Sequence, residues 1–158
     1  MVRVGIDDVR ALVRVPGHVE LDEAYVGGRK SGGKRGRGAA GKTIVFGIYK
    51  HNGKVYTEVV PNCSRKTLYA IIKGKVDAAS TIHTDGFRTY DGIVDLGYQK
   101  HYRVNHSNNE FAVGTNHING IEGFWGFAKI RLVKFRGMRK STFYLHLKES
   151  EFRFKEKQ

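Results

Sequence analysis

Four residues stand out by chemical type and position: Asp22, Asp85, Glu122 and Lys129. Glu122 and Lys129 are seven residues apart, two helical turns on one side, about 10 Å along an axis. Asp22 lies within the alternating run Val19-Glu20-Leu21-Asp22-Glu23-Ala24-Tyr25-Val26, and Asp85 ends the run Ser80-Thr81-Ile82-His83-Thr84 just before Gly86. The acids are separated by 63 residues (22 to 85) and 37 residues (85 to 122). If they met, they would offer the hard oxygen ligands that Mg²⁺ or Mn²⁺ prefers. Two such ions clamp the attacking and leaving oxygens of an in-line phosphoryl transfer. Each residue also has a plainer reading. Glu122 and Lys129 suit the wet face of an amphipathic helix, and Asp85 before Gly86 suits a turn. The elements that carry the acids decide between these readings.

The helix that carries Glu122 spans Thr115 to Leu132. Ile118, Ile121, Trp125, Ala128 and Leu132 step by three, four, three and four, a single buried stripe in which Trp125 is a core residue. Asn119, Glu122 and Lys129 flank that stripe. Gly120, Gly123 and Gly126 each cost a helix roughly 1 kcal/mol against Ala, which close packing or an approaching DNA backbone would explain. In the Val19–Val26 strand, Val19, Leu21 and Tyr25 share one face, and Glu20, Asp22 and Ala24 the other. A face with two acids is expected to meet solvent or a metal.

The remaining elements follow from periodicity and punctuation. Strands Thr43–Tyr49 and Lys54–Val60 flank a turn with the Asn52-Gly53 hairpin signal, and Pro61 closes the second. Ser64 caps a helix from Arg65 to Val76 whose apolar face is Leu68, Ile71, Ile72 and Val76. Ser80–Gly86 is a short strand with Asp85 at its C-terminal tip, where α/β sheets place ligand groups. Phe87–Leu96 holds a short helix and His101–Val104 a strand. Asn105–Gly114 is a polar loop, and Phe135-Arg136-Gly137 interrupts before a last helix, Ser141–Phe154, with Phe143, Tyr144, Leu147 and Phe152 as its apolar members. Ile6–Val13 reads as a short helix ahead of the Pro16-Gly17 break. This is the order of an RNase H-like α/β fold. Its mixed five-stranded sheet comprises a three-strand antiparallel meander and two further strands, flanked by helices. There the first and fourth strands are neighbours, and a later helix packs beside them.

Bulk properties narrow the partner. The chain has 158 residues, one domain's worth, with 28 Lys and Arg against 15 Asp and Glu, a formal net charge of +13. Such an excess favours a polyanion, nucleic acid first and an anionic membrane surface second. Cys63 is the only cysteine, which excludes a disulfide framework and a cysteine zinc site, and no apolar run reaches the length of a membrane span. A reducing, intracellular setting follows. Residues 27–42 hold seven glycines and six bases, Arg29, Lys30, Lys34, Arg35, Arg37 and Lys42. Such a loop tracks phosphates by counterion release without reading sequence, and it also suits plain solvated chain. Gly36–Thr43 fits the P-loop pattern, but the β-rich Ile44-Val45-Phe46 that follows argues against nucleotide binding. His83, His106 and His117 read as ordinary polar histidines or as neighbours of the acids.

Several ordered motifs resemble bacterial insertion-sequence transposases of the DDE type. They are Val19 to Gly28, Gly36 to Lys42, Thr84-Asp85, Val104-Asn105-His106-Ser107, His117 to Glu122 with Trp125 and Lys129, and Leu147 to Phe154. The resemblance covers nearly the whole chain from Val19 onward. It implies an RNase H-like catalytic domain over residues 19–158 that cleaves and rejoins transposon-end DNA with a pair of Mg²⁺ or Mn²⁺ ions. Asp22, Asp85 and Glu122 match the catalytic and metal-binding triad. Lys129 matches a lysine that touches DNA near the cut, and some relatives carry Asn at the third position, where Asn119 is the alternative to Glu122. The resemblance further implies end and target DNA as partners, a homodimer or higher assembly on DNA, and a bacterial, cytoplasmic, nucleoid-associated setting. Relatives carry a helix-turn-helix or zinc ribbon before the first strand. Residues 1–18 are too short for either, so this segment is expected to lack a complete DNA-recognition domain. Two other outcomes stay open: an RNase H-like nuclease with water as its only nucleophile, and an inactive remnant that binds DNA without catalysis.

Overall fold

The computed structural model describes residues 16–27, 41–98, 100–104, 118–134 and 138–155. The expected Ile6–Val13 helix, the interior of the basic loop with Arg29, Lys30, Lys34, Arg35 and Arg37, His106, His117, the polar loop 105–114 and the interruption at 135–137 lie outside the described residues.

Five strands form one sheet, β1 (His18–Val26), β2 (Thr43–Lys50), β3 (Lys54–Val60), β4 (Thr81–Thr84) and β5 (Lys100–Arg103), in the order β3-β2-β1-β4-β5. The first three make the antiparallel meander, whereas β4 joins β1 and β5 joins β4 in parallel. The β2–β3 loop is three residues long and ends on Gly53 at φ 85°, the left-handed position such loops need. Lys42 leads into Thr43, which opens β2, so the P-loop pattern lacks the helix it requires.

Among the described residues three α-helices flank the sheet: α1 (Arg65–Lys75), α2 (Asn119–Val133) and α3 (Lys140–Lys155). On α1 the expected cap forms, with Thr67 N–H donating to Ser64 Oγ at 3.3 Å. Two cores result. One packs Val19, Leu21, Phe46, Ile48, Leu68, Ile72 and Ile82 between the sheet and α1. The other packs Ala24, Val45, Tyr49, Ile121, Trp125, Ala128 and Leu147 between the opposite face and the α2–α3 pair. The Ile118–Leu132 stripe is buried throughout and also includes Phe124.

One expectation is corrected and one refined. Phe87–Leu96 is not one helix but two 3₁₀ turns, Arg88–Gly92 and Val94–Leu96. Phe87, Tyr90, Ile93 and Leu96 recur every third residue, and all four pack on the α1-side core. A three-residue turn keeps them in one row, whereas an α-helix would rotate them apart. On α3, Tyr144 and Phe152 are about half exposed, at 48% and 50%, and the buried members are Phe143, Leu147, Ser150 and Glu151. Glu151 accepts from Thr57 N–H at 2.6 Å and from the Thr57 hydroxyl, while Lys148 Nζ donates to Thr57 O at 2.6 Å. These two side chains satisfy the backbone N–H and C=O of Thr57, in the middle of the edge strand β3, which would otherwise be unpaired. That is the structural work of the closing Leu147–Phe154 segment.

Candidate active site

The β1–β4 ladder sets the site. Its last registered pair is Leu21 with Thr84, so Asp22 and Asp85 follow side by side as the two parallel strands run out. Asp85 is partly spoken for locally: its Oδ1 accepts from Phe87 N–H at 2.9 Å, the expected turn-forming role. The turn and the proximity to Asp22 coexist, because one carboxylate has two oxygens and several acceptor directions.

Glu122 reaches this corner by way of α2. Two glycines let that helix lie close to the sheet. A Cβ on Gly47, the residue paired with Asp22, would come within 2.5 Å of Trp125 Cζ2 and 2.9 Å of Ile121 Cδ1. A Cβ on Gly120 would come within 2.1 Å of Tyr49 Cε1. Close packing therefore explains Gly120, whereas Cβ positions on Gly123 and Gly126 have open space around them. The helix places Glu122 in its first turn, exposed, with Asn119 and Lys129 also exposed.

At Glu20 the acid face of β1 does not meet solvent but the start of α2. Glu20 is fully buried beneath the start of α2, and its Oε2 accepts from Ile121 N–H at 2.8 Å. Ile118, at the N-cap position, makes no side-chain cap bond. A carboxylate 101 residues earlier in the chain thus takes the cap's place, where helix N-termini favour negative charge. Its other oxygen lies 2.8 Å from His51 Nε2. Burial pushes the Glu20 carboxyl up to about 7, against the lowering effect of the Ile121 and Gly120 backbone N–H groups.

This face is arranged in rows. His51 and His18 form the first, with ring centroids 5.4 Å apart. Tyr49, Glu20, His83 and Tyr102 form the second, each strand pairing in register with the next. Gly47, Asp22 and Asp85 form the third. His83 is buried, contacts His18 Nδ1 through its Nε2 at 3.0 Å and stacks on Tyr102 at 5.7 Å. Among the histidines singled out in the sequence, His83 is therefore a neighbour of the acids, two residues before Asp85 and beside Glu20. Sequence reading missed Glu20, His51 and Gly47. Only the strand alternation at Glu20 hinted at them.

Charge is concentrated in the third row. Burial, then the charges of Glu23, Asp85 and Glu122, raise the Asp22 carboxyl from 3.8 to about 7. Three acids are thus close enough to feel one another, although among the described residues no three His, Cys, Asp or Glu side chains already form a cage around a single point. The sign of the pH effect follows. As pH rises from about 4 to about 7 the unfolded chain gives up the Asp22 proton first, so stability falls across that window. Asp22→Asn is expected to exceed the parent in stability at pH 7.5 by on the order of 2 kcal/mol, allowing for water at a partly open site, and to match it at pH 4. Thermal unfolding in EDTA at the two pH values checks this. An equal shift at both would mean that Asn acts through packing.

Comparison with known proteins agrees with this architecture. The catalytic core domain of BIV integrase superposes with a TM-score of 0.51 at 12% identity, covering 82% of this chain and 80% of that one. The fold is thus RNase H-like, as the strand order implies. Residues 14–155 match the ISXO2-like transposase domain, and the chain belongs to that family of DDE transposases. A Haemophilus influenzae relative described as an uncharacterized transposase-like protein is 50% identical over 101 residues, 64% of this chain and 80% of its own length. An uncharacterized protein in transposable element ISH50 of Halobacterium salinarum is 28% identical over 154 residues, and the match spans 52% of that protein. Among the described residues no helix is long and apolar enough to cross a membrane.

Proposed function

We propose that this domain cleaves insertion-sequence ends and transfers the strands to target DNA, with Asp22 and Asp85 as the principal metal-holding carboxylates and Glu122 as the third. The observation that carries the reading is the β1–β4 register, which sets Asp22 and Asp85 side by side where two parallel strands end, with Glu122 in the first turn of the helix packed beside them. Clustered like charge at the end of two parallel strands calls for a compensating cation. Mg²⁺ is commonly held by one or two carboxylates together with water and substrate phosphate, so two acids side by side suit it without a complete protein cage. When bound, such ions neutralise the phosphoryl oxygens and activate a hydroxyl nucleophile.

The chain's own groups do the rest. Lys129, exposed two turns beyond Glu122, supplies a point charge for a phosphate near the cut. Asn119, exposed at the start of α2, supplies an amide that donates and accepts. It is the alternative third residue. Arg29, Lys30, Lys34, Arg35, Arg37 and Lys42 supply phosphate contacts that carry no sequence information. End and target DNA are the partners in this reading, on which a homodimer or higher assembly forms in a bacterial cytoplasm.

The test is incubation of the purified protein with a labelled duplex bearing a free 3′-hydroxyl, a supercoiled plasmid target and Mn²⁺. Joined product supports the proposal. Nicking without joining assigns the domain to nucleases that use water alone, and retention of DNA with no product makes it a binding remnant. In the same system, Arg35→Ala with Arg37→Ala is expected to reduce the slope of log affinity against log salt by about 2, roughly 0.9 for each phosphate no longer neutralised. A filter-binding titration between low and moderate salt reads this, and an unchanged slope removes the loop from the account.

A further inference from the structure

Tyr102 is half exposed, at 50%, on a short edge strand that also carries Lys100, His101 and Arg103. Its register partner is His83, the residue two before Asp85 on β4. Across the neighbouring strand and two residues along, Tyr102 is about 8 Å from Asp85 by Cα position, from strand spacing and rise. Alternation puts Lys100 and Tyr102 on the face that carries Glu20, Asp22 and His83. Alternation puts His101 and Arg103 on the opposite face, where His101 meets Thr84 Oγ1 at 2.9 Å and Arg103 pairs with Asp91 at 2.6 Å. The Tyr102 ring lies nearly parallel to that of His83, 21° between planes. A buried imidazole thus backs the ring, which remains half open to solvent.

We propose that Tyr102 is a stacking shelf for an unpaired nucleobase next to the reacting phosphate, with Lys100 contacting the adjoining backbone. This rests on the reading of Asp22 and Asp85 as the phosphoryl-transfer site. The distance suits it, since a phosphate at the acids would leave its own or the next base within reach of the ring. The ring face selects the occupant's form. Inside a duplex both faces of a base are covered by neighbours, so a protein ring stacks on a base only at an end or where strands have separated. A net charge of +13 and an exposed lysine beside the ring suit a strand whose phosphates flank that base. The shelf therefore distinguishes frayed or overhanging ends from intact duplex.

The probe is a short duplex with a three-nucleotide 3′ overhang containing 2-aminopurine, compared with the same label inside a blunt duplex, both in EDTA so that no chemistry occurs. The parent protein is expected to quench the overhang label and not the internal one. Tyr102→Ala is expected to lose the quenching and to weaken overhang binding about 10-fold, while blunt-duplex binding changes less than 2-fold. Tyr102→Phe and Tyr102→Trp are expected to restore both. Melting curves of all variants identify any loss that comes from unfolding, and the Phe variant keeps the test decisive if the Ala variant is unstable. Equal weakening on both probes, or no difference between the Ala and Phe variants, overturns the shelf. Quenching that persists in a protein that makes no product with Mn²⁺ sinks the transferase reading and leaves the shelf standing. Joined product without overhang quenching does the reverse.

Discussion

Asp85→Asn is expected to lower the rate of strand cleavage and joining by about 10³-fold or more, about 4 kcal/mol of barrier, while DNA retention changes little. The substitution is conservative where Asp85 is structural and severe where it is chemical. Asn retains an Oδ1 that accepts from Phe87 N–H, so the turn after β4 keeps its bond. What disappears is the negative charge beside Asp22 and one strong oxygen ligand for a divalent ion. With that charge gone, the Asp22 carboxyl is expected to fall only part of the way toward its ordinary value, because burial and Glu23 raise it more than Asp85 does. Single-turnover cleavage and filter binding on the same preparations separate the two roles. If Asp85→Asn cleaves at near parental rate, Asp85 is only a turn residue and the metal reading fails. If retention disappears together with product, the residue holds the fold.

Glu20→Ala is expected to destabilise the protein by about 3 kcal/mol, a fall of about 6–12 °C in Tm. The mutation strips the start of α2 of its acceptor, leaves His51 without its carboxylate and opens a void under the helix. Glu122 lies one residue beyond Ile121, the donor to Glu20, so loosening this turn also displaces the third acid. Glu20→Gln makes the informative partner. Its amide oxygen can take the Ile121 N–H, and its NH₂ can donate to a His51 ring nitrogen, with no buried charge to solvate. The Gln variant is expected to melt within a few degrees of the parent and to keep most of the activity, and the Ala variant to lose both. Calorimetry and single-turnover rates on the pair read this. An Ala variant as stable as the parent would mean that α2 is seated by its apolar stripe alone.

Much of the frame was legible from local pattern. The alternation in β1, the hairpin around Asn52-Gly53, the Ser64 cap and the three-four stripe on α2 are all short-range, and each is imposed by backbone geometry at its own position. The buried face of α3 was not legible for a related reason. Its aromatics are plentiful, and composition does not say which of them face the neighbouring helix.

The sequence by itself determined the identities and spacing of Asp22, Asp85 and Glu122, the elements that carry them and the basic character of the surface. The tertiary structure decided where each acid of β1 ends up. Glu20 and Asp22 share one face of one strand and are indistinguishable by periodicity, yet one ends under the start of α2 and the other at the open end of a ladder. That distinction comes from a residue-level register between strands about 60 residues apart and from a helix seated by Gly47 and Gly120. Such contacts depend on chain crossings that no local pattern encodes.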